Sequence, residues 1–191
     1  QSNIFKNINF NFNIKKEKFS FNKIKFSFNN INFLSEKLSV EKKDNFFLVE
    51  GLIENKESIL KKEILNLLNV NLTDINLEET KFVSKSNFSL EIDKKFKVKN
   101  TSFDSDFHLD KLTYNFPYEI NNYVDGLNEK IELKNHKLKI NYKNKKIKII
   151  GNGAINFYNK FEKITYSINK FEKDLNFSAD MMIEKINLKT Q

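Results

Sequence analysis

The residues best placed to do chemistry lie between Asp104 and Asp110, where Asp104, Asp106, His108 and Asp110 recur at every second position. Alternate side chains of an extended strand share a face, so three carboxylates and an imidazole would gather on one side. Such a set could ligate a hard cation or tune the histidine. The same spacing has a plainer consequence, and it is preferred. Phe103, Ser105, Phe107 and Leu109 form the buried side of a half-buried strand, and the acids are its solvated side. No residue is assigned to a metal.

The second histidine, His136, stands among Lys134 and Lys137 and is expected at an exposed strand end. The chain has no Cys, which excludes disulfides, thiolate metal sites and thiol nucleophiles. It also lacks a Gly-rich phosphate loop, a nucleophile elbow and a zinc-binding His pair at helical spacing. The expectation is therefore a protein that is not an enzyme and carries no cofactor.

The Lys-rich stretch Lys134 to Lys148 invites a nucleic-acid interface. Against that, its lysines alternate with Leu138, Ile140 and Tyr142, and all 33 basic residues of the chain are Lys. Arg, the residue of bidentate phosphate and base contacts, is absent. Lys, Asn, Ile and Phe make up more than half of the chain. All four have AT-rich codons, so the net charge of +8 is weak evidence for an acidic partner. A solvated face is expected, with no nucleic acid; such a face could also sit near anionic lipid headgroups.

One signal remains, an aromatic stripe. Phe10, Phe12, Phe19, Phe21, Phe26, Phe28 and Phe33 fall within the first 33 residues, with Ile31 beside the last. These residues form either the sealed core of a sandwich or the lining of a trough open to acyl chains.

The elements that must position this stripe are strands. Ile8, Phe10, Phe12 and Ile14 alternate with Asn7, Asn9, Asn11 and Asn13, which gives a dry side and a wet side. The alternation resumes at Phe19 and Phe21, slips by one at Asn22 and Lys23, and continues through Ile24, Phe26 and Phe28. A bulge or tight turn near Asn22 must absorb that slip. Short strands follow at Ile31–Phe33, Leu38–Val40 and Phe46–Ile53, and from Phe88 to Ile168, with Phe96 and Val98 among them. From Asn55 to Asn69, Leu60, Ile64, Leu67 and Leu68 instead fall on one helical stripe, which predicts one inserted helix.

The turn segments Lys15–Lys18, Asp93–Lys95, Lys143–Lys146 and Phe171–Asp174 are short and polar, which implies antiparallel neighbours. With 4 Gly and 1 Pro, turns fall to Asn, Asp and Lys. Gly151 and Gly153 mark a bend or a close approach. The fold expected is all-β and mainly antiparallel: an elongated, curved amphipathic sheet forming an open groove, with one helix near 55–69. No apolar run approaches the roughly 20 residues of a membrane helix. The chain opens on Gln1, which reads as a processed chain or an excised segment, with any anchor or export signal outside it.

The order of these elements resembles the AsmA-like superfamily of bacterial envelope proteins, including the YhdP and TamB types. Phe26-Ser27-Phe28-Asn29-Asn30-Ile31 leads through Leu38-Ser39-Val40 to Phe47-Leu48-Val49-Glu50-Gly51 and the expected helix. Later, Lys146 to Ile155 carries Gly151-Asn152-Gly153, and Ile164-Thr165-Tyr166-Ser167-Ile168 follows. The resemblance covers most of the chain. It implies that residues 1–191 are one β-rich segment of a longer, repeat-built β-groove, held at the inner membrane by an anchor outside this sequence. It further implies phospholipid transfer across the periplasm toward the outer membrane, with room for envelope protein partners and no catalytic residues. Phe10, Phe12, Phe19, Phe21, Phe26, Phe28, Ile31 and Phe33 become the candidate lipid-contacting residues. The alternative is a closed β-sandwich or barrel serving as a structural or adhesive envelope module.

Overall fold

Strict apolar–polar alternation leaves each strand with one face that must be shielded and one that water satisfies, and antiparallel neighbours extend both faces sideways. A computed structural model describes residues 5–60, 75–76, 80–115, 130–156, 160–172 and 174–182. In chain order the elements are β1 (Phe5–Lys15), β2 (Lys18–Phe28), β3 (Ile31–Lys42), β4 (Phe46–Ile59), β5 (Ile75–Asn76), β6 (Lys81–Asp93), β7 (Val98–Asn115), β8 (Lys130–Lys143), β9 (Lys146–Asn156), β10 (Phe161–Phe171) and β11 (Asp174–Met181). They form one antiparallel sheet in the order β1-β2-β3-β4-β6-β7-β8-β9-β10-β11, with the two-residue β5 paired to β7. The edge strands β1 and β11 are each paired on one side only, so the sheet is open and unclosed.

The expected helix is not what its first residues form. Asn55 to Ile59 continue β4 and pair with β6, as Asn55↔Ser84 and Ser58↔Phe82. A register shift between those two pairs absorbs the polar Lys56-Glu57 step. Two forces hold this stretch extended: the ladder to β6, and the buried Asn55 amide, which donates to Asn32 O at 3.2 Å and Ser58 Oγ at 2.8 Å. Helical spacing of four apolar residues does not outweigh a neighbouring strand already in place. The remainder of the expected helix, residues 61–69, lies outside the described residues, as does Phe116.

Strands this long need devices that keep one face dry. Asn7, Lys23, Asn100 and Asn135 take left-handed φ values near 50° inside β1, β2, β7 and β8. Register shifts fall at Asn7, between Ser89 and Glu91 opposite Asn100, and between Lys134 and Lys137 around Asn135. Each is a bulge that adds one residue and so returns the following side chains to the same face. At Lys23 this keeps Ile24, Phe26 and Phe28 on the side of Phe19 and Phe21, which is how the slip near Asn22 is resolved. A further shift between Leu34 and Leu38 makes Ile31–Lys42 one strand rather than two.

The turns are made as composition requires. Asn29-Asn30 and Asn144-Lys145 hold φ > 0 at both residues and close two-residue hairpins. Phe96, expected in a strand, sits instead in the β6–β7 turn at φ 59° and is 82 % exposed.

Candidate functional site

Ladder partners share a face, so the register shows which side chains line the apolar side. Phe12↔Phe21, Ile14↔Phe19, Phe26↔Phe33 and Phe28↔Ile31, with Phe10 alternating with Phe12 along β1, place all eight candidate lipid-contacting residues together on one face of β1, β2 and β3. Phe5 lies 4.7 Å from Phe28 between ring centroids, Phe10 lies 5.5 Å from Phe21, and Phe26 stacks on Phe33 at 5.3 Å. The same face continues through Val49, Phe88, Phe103, Leu138 and Ile149 to Ile168 and Phe177 on β11.

Exposure along this face is graded. Ile31, Leu60, Phe82 and Leu112 are buried in one cluster, with Phe33, Phe107, Leu109 and Leu133 packed against it. All belong to the end of the sheet where β3 and β6 begin. The lateral edges are open: Phe12 on β1 and Phe177 on β11 are each 63 % exposed. Ile31, at 1 % exposure, is therefore core, while Phe10, Phe12 and Phe19 present free apolar surface.

The face is not uniformly apolar. Ser35, Asn55, Ser84 and Ser105 are buried on it, and Ser86 Oγ bonds Ser105 Oγ at 2.7 Å. The Ser35 hydroxyl and the Asn55 carbonyl oxygen are buried with no partner. A band of small polar groups thus crosses the middle of the face.

Its largest polar element corrects an expectation. His136 is 1 % exposed, not a solvated strand end. The residues alternating with it on β8 are Leu138, Ile140 and Tyr142, so it points to the apolar side, while Lys137 points away. Its Nε2 lies 3.0 Å from Ala154 O and its Nδ1 3.1 Å from Tyr166 Oη. A carbonyl only accepts, so Nε2 carries the proton and the Tyr166 hydroxyl donates to Nδ1. Burial lowers the His136 pKa, partly opposed by the bond to Ala154. Burial raises that of Tyr166 to about 12. Both groups are neutral around pH 7.

These rings explain the glycines. A Cβ on Gly153 would overlap the His136 ring, and one on Gly151 would overlap the Tyr166 ring. Gly51 repeats the device, with Phe88 Cε1 2.9 Å from its ideal Cβ position. The close approach expected at Gly-Asn-Gly is therefore made by rings from neighbouring strands, which cover bare backbone in the sheet interior. Alternation with Ile147 and Ile149 carries the signal that would have found this.

In the acidic stretch the carboxylates lie in solvent, but His108 is half-buried, with its Nδ1 shut off from solvent and without a hydrogen-bond partner. Asp104, Asp106 and Asp110 are exposed, opposite the half-buried Phe103, Phe107 and Leu109. Asp106 lies between Lys85 of β6 and Lys139 of β7's other neighbour, β8, the latter 4.0 Å away. Among the described residues no three His, Asp or Glu side chains converge as a metal site.

No family model, curated protein or solved structure matches this chain.

Proposed function

We propose that this chain is a non-enzymatic lipid-binding and lipid-transfer segment whose apolar sheet face holds phospholipid acyl chains between the inner and outer membranes of a bacterial envelope. One observation carries the proposal: an open sheet with a contiguous face of Phe and Ile, left exposed at Phe10, Phe12 and Phe19. A soluble surface seldom keeps so much linked apolar area uncovered without an occupant. Each Å² covered by an acyl chain contributes about 25 cal/mol, and the Asn and Lys of the reverse face keep the sheet wetted. The resemblance of the element order to AsmA-like proteins is what favours a periplasmic setting for this reading.

The buried cluster of Ile31, Leu60, Phe82 and Leu112 favours a second reading, in which the face is sealed and the segment is a structural or adhesive module. Native mass spectrometry on protein purified from cells separates the two. Lipid transfer predicts phospholipid adducts that disappear when Phe10, Phe12 and Phe19 are replaced by Ser. Recovery free of phospholipid, together with a compact globular scattering profile, would sink the proposal.

A further inference from the structure

Five connections join neighbouring strands at one rim of the sheet: 16–17, 43–45, 94–97, 144–145 and the one between the paired Phe171 and Asp174. The register brings them to one rim in steps: Lys18 lies opposite Glu41, Phe46 opposite Asp93 and Lys146 opposite Phe171, while Ser102, opposite Lys143, pairs with Ser89, so the 94–97 turn stands about 13 Å beyond the 144–145 turn. At a strand spacing of about 4.8 Å, the turns succeed one another every ~10 Å along a rim of ~40 Å.

The charge of the chain is concentrated there. By sequence, segments 15–18, 42–45, 93–97, 143–146 and 171–174 hold 12 Lys against 5 Asp or Glu, a balance of +7 within a total of +8. Everything else is nearly neutral. Codon bias can raise the number of lysines, but it does not sort them to one end.

Some rim lysines are neutralised, Lys42 by Glu17 and Lys18 and Lys43 by Glu41, while Asp93 pairs with Lys99 inside β7. Among the described residues Lys94, Lys95, Lys97, Lys143, Lys145 and Lys146 pair with no carboxylate. Lys143 and Lys146 face each other directly across the β8–β9 hairpin as like charges, with the Lys146 Nζ 4.9 Å from the centroid of the Phe171 ring. Beside them a hollow of about 900 Å³ is lined by Lys143, Lys146, Lys148, Lys170 and Phe171, with Asp174 its one acid among the described residues.

The β6–β7 turn adds an apolar element. Asp93 Oδ1 accepts from the backbone N–H of Lys95 at 2.8 Å and of Lys97 at 2.9 Å, and Asp93 O accepts from Phe96 N at 2.9 Å. This frame holds Phe96 outward, in a backbone region where Phe is rarely found, between three lysines. A bare aromatic ringed by lysines suits the boundary between headgroups and acyl chains.

We propose that this hairpin rim docks end-on against the surface of an anionic phospholipid bilayer, its lysines on the headgroup phosphates and Phe96 inserted among them. The apolar face reaches the same rim still exposed, at Ile14, Phe19, Val98 and Leu175, while its other end is closed by the Ile31 cluster. Docking there brings the open end of the face to the membrane. The inference rests on the lipid-transfer reading for its choice of a bilayer over another polyanion.

The test is co-sedimentation of the chain with vesicles of phosphatidylcholine containing about 30 % phosphatidylglycerol, against phosphatidylcholine alone. Expected are binding to the anionic vesicles only, at least a tenfold loss in a Lys94→Glu, Lys95→Glu, Lys143→Glu, Lys146→Glu variant, and a several-fold loss in Phe96→Ser. Reversal of Lys81, Lys111 and Lys163, remote from the rim, leaves binding within twofold. Circular dichroism confirms that each variant folds. Equal losses from both reversal sets overturn the docking proposal, as does tighter binding to duplex DNA that Phe96→Ser does not weaken. Phospholipid adducts retained by a rim variant that no longer sediments uphold the groove and the docking edge separately. A wild-type chain that sediments yet carries no phospholipid defeats the groove alone.

Discussion

The hydroxyl of Tyr166 on β10 reaches over Gly151 to the Nδ1 of His136 on β8, 3.1 Å away, so two strands that do not pair are joined through side chains above the one between them. That bridge requires a neutral imidazole accepting at Nδ1. Protonation would put a proton where Tyr166 now donates and a charge where water is excluded.

Stability should therefore depend on pH in two windows. The folded pKa of His136 lies below its ordinary 6.5. Its contribution is complete above pH 6.5 and is lost as pH falls through the folded value. The folded pKa of Tyr166 lies above 10, at about 12. Its contribution is complete below pH 10 and is lost as pH rises through 12. Urea melts across pH 4.5–8 should show a decline at the acid end that flattens in His136→Gln. Melts above pH 9 should show a second decline, missing in Tyr166→Phe.

Gly153→Ala should destabilise the sheet by about 1–3 kcal/mol, because the new methyl displaces the His136 ring and strains a packed face. The loss is not the glycine's alone. In a double-mutant cycle with His136→Ala, the two changes should couple by about 1 kcal/mol or more, since removing the ring clears the space. Simple additivity in chemical melts would show that the ring is not what Gly153 accommodates.

The alternation from Ile8 to Phe33 marks one apolar side of each strand, because a half-buried strand has a single period, and of the bulge or tight turn that the slip near Asn22 allows the structure has the bulge, at Lys23. Turn positions followed from polar composition for the same reason. His136 follows its alternation with Leu138 and Ile140 rather than the charge of its chain neighbours Lys134 and Lys137, so its burial runs against the local composition. At Asn55–Ile59 the helical spacing yields to a strand because local spacing carries no trace of the ladder that β6 supplies. β11 carries the signal at Leu175, Phe177, Ala179 and Met181. The basic rim was not legible at all: its five segments are scattered over the sequence, and only topology aligns them.

Phe96→Asn should raise stability by about 1 kcal/mol, because Asn tolerates the left-handed backbone that Phe96 holds at φ 59° with its ring in solvent. The same substitution should weaken sedimentation with anionic vesicles. A higher melting temperature alongside poorer vesicle binding marks strain kept for function rather than for folding. A lower melting temperature would mean that the exposed ring packs in the native state.

The two ends of the apolar face should respond oppositely to truncation. Ile31→Ala removes a side chain packed with Leu60, Phe82 and Leu112, and should lower stability by about 2–4 kcal/mol. Phe12→Ala, on an edge strand and largely in solvent, should lower it by less than about 1 kcal/mol. Lipid contact should follow the reverse order. The chain has no Cys, so single cysteines at positions 11 and 12 report on the two faces of β1 without background. A polarity-sensitive fluorophore at position 12 should shift toward the blue when phospholipid is added, while one at position 11, on the Asn face, should not move. Equal shifts at both positions would mean that lipid coats the protein indiscriminately. A shift at neither, with Ile31→Ala still strongly destabilising, would make the whole face structural. The apolar surface at Phe12 would then be a strand edge awaiting a protein neighbour rather than an acyl chain.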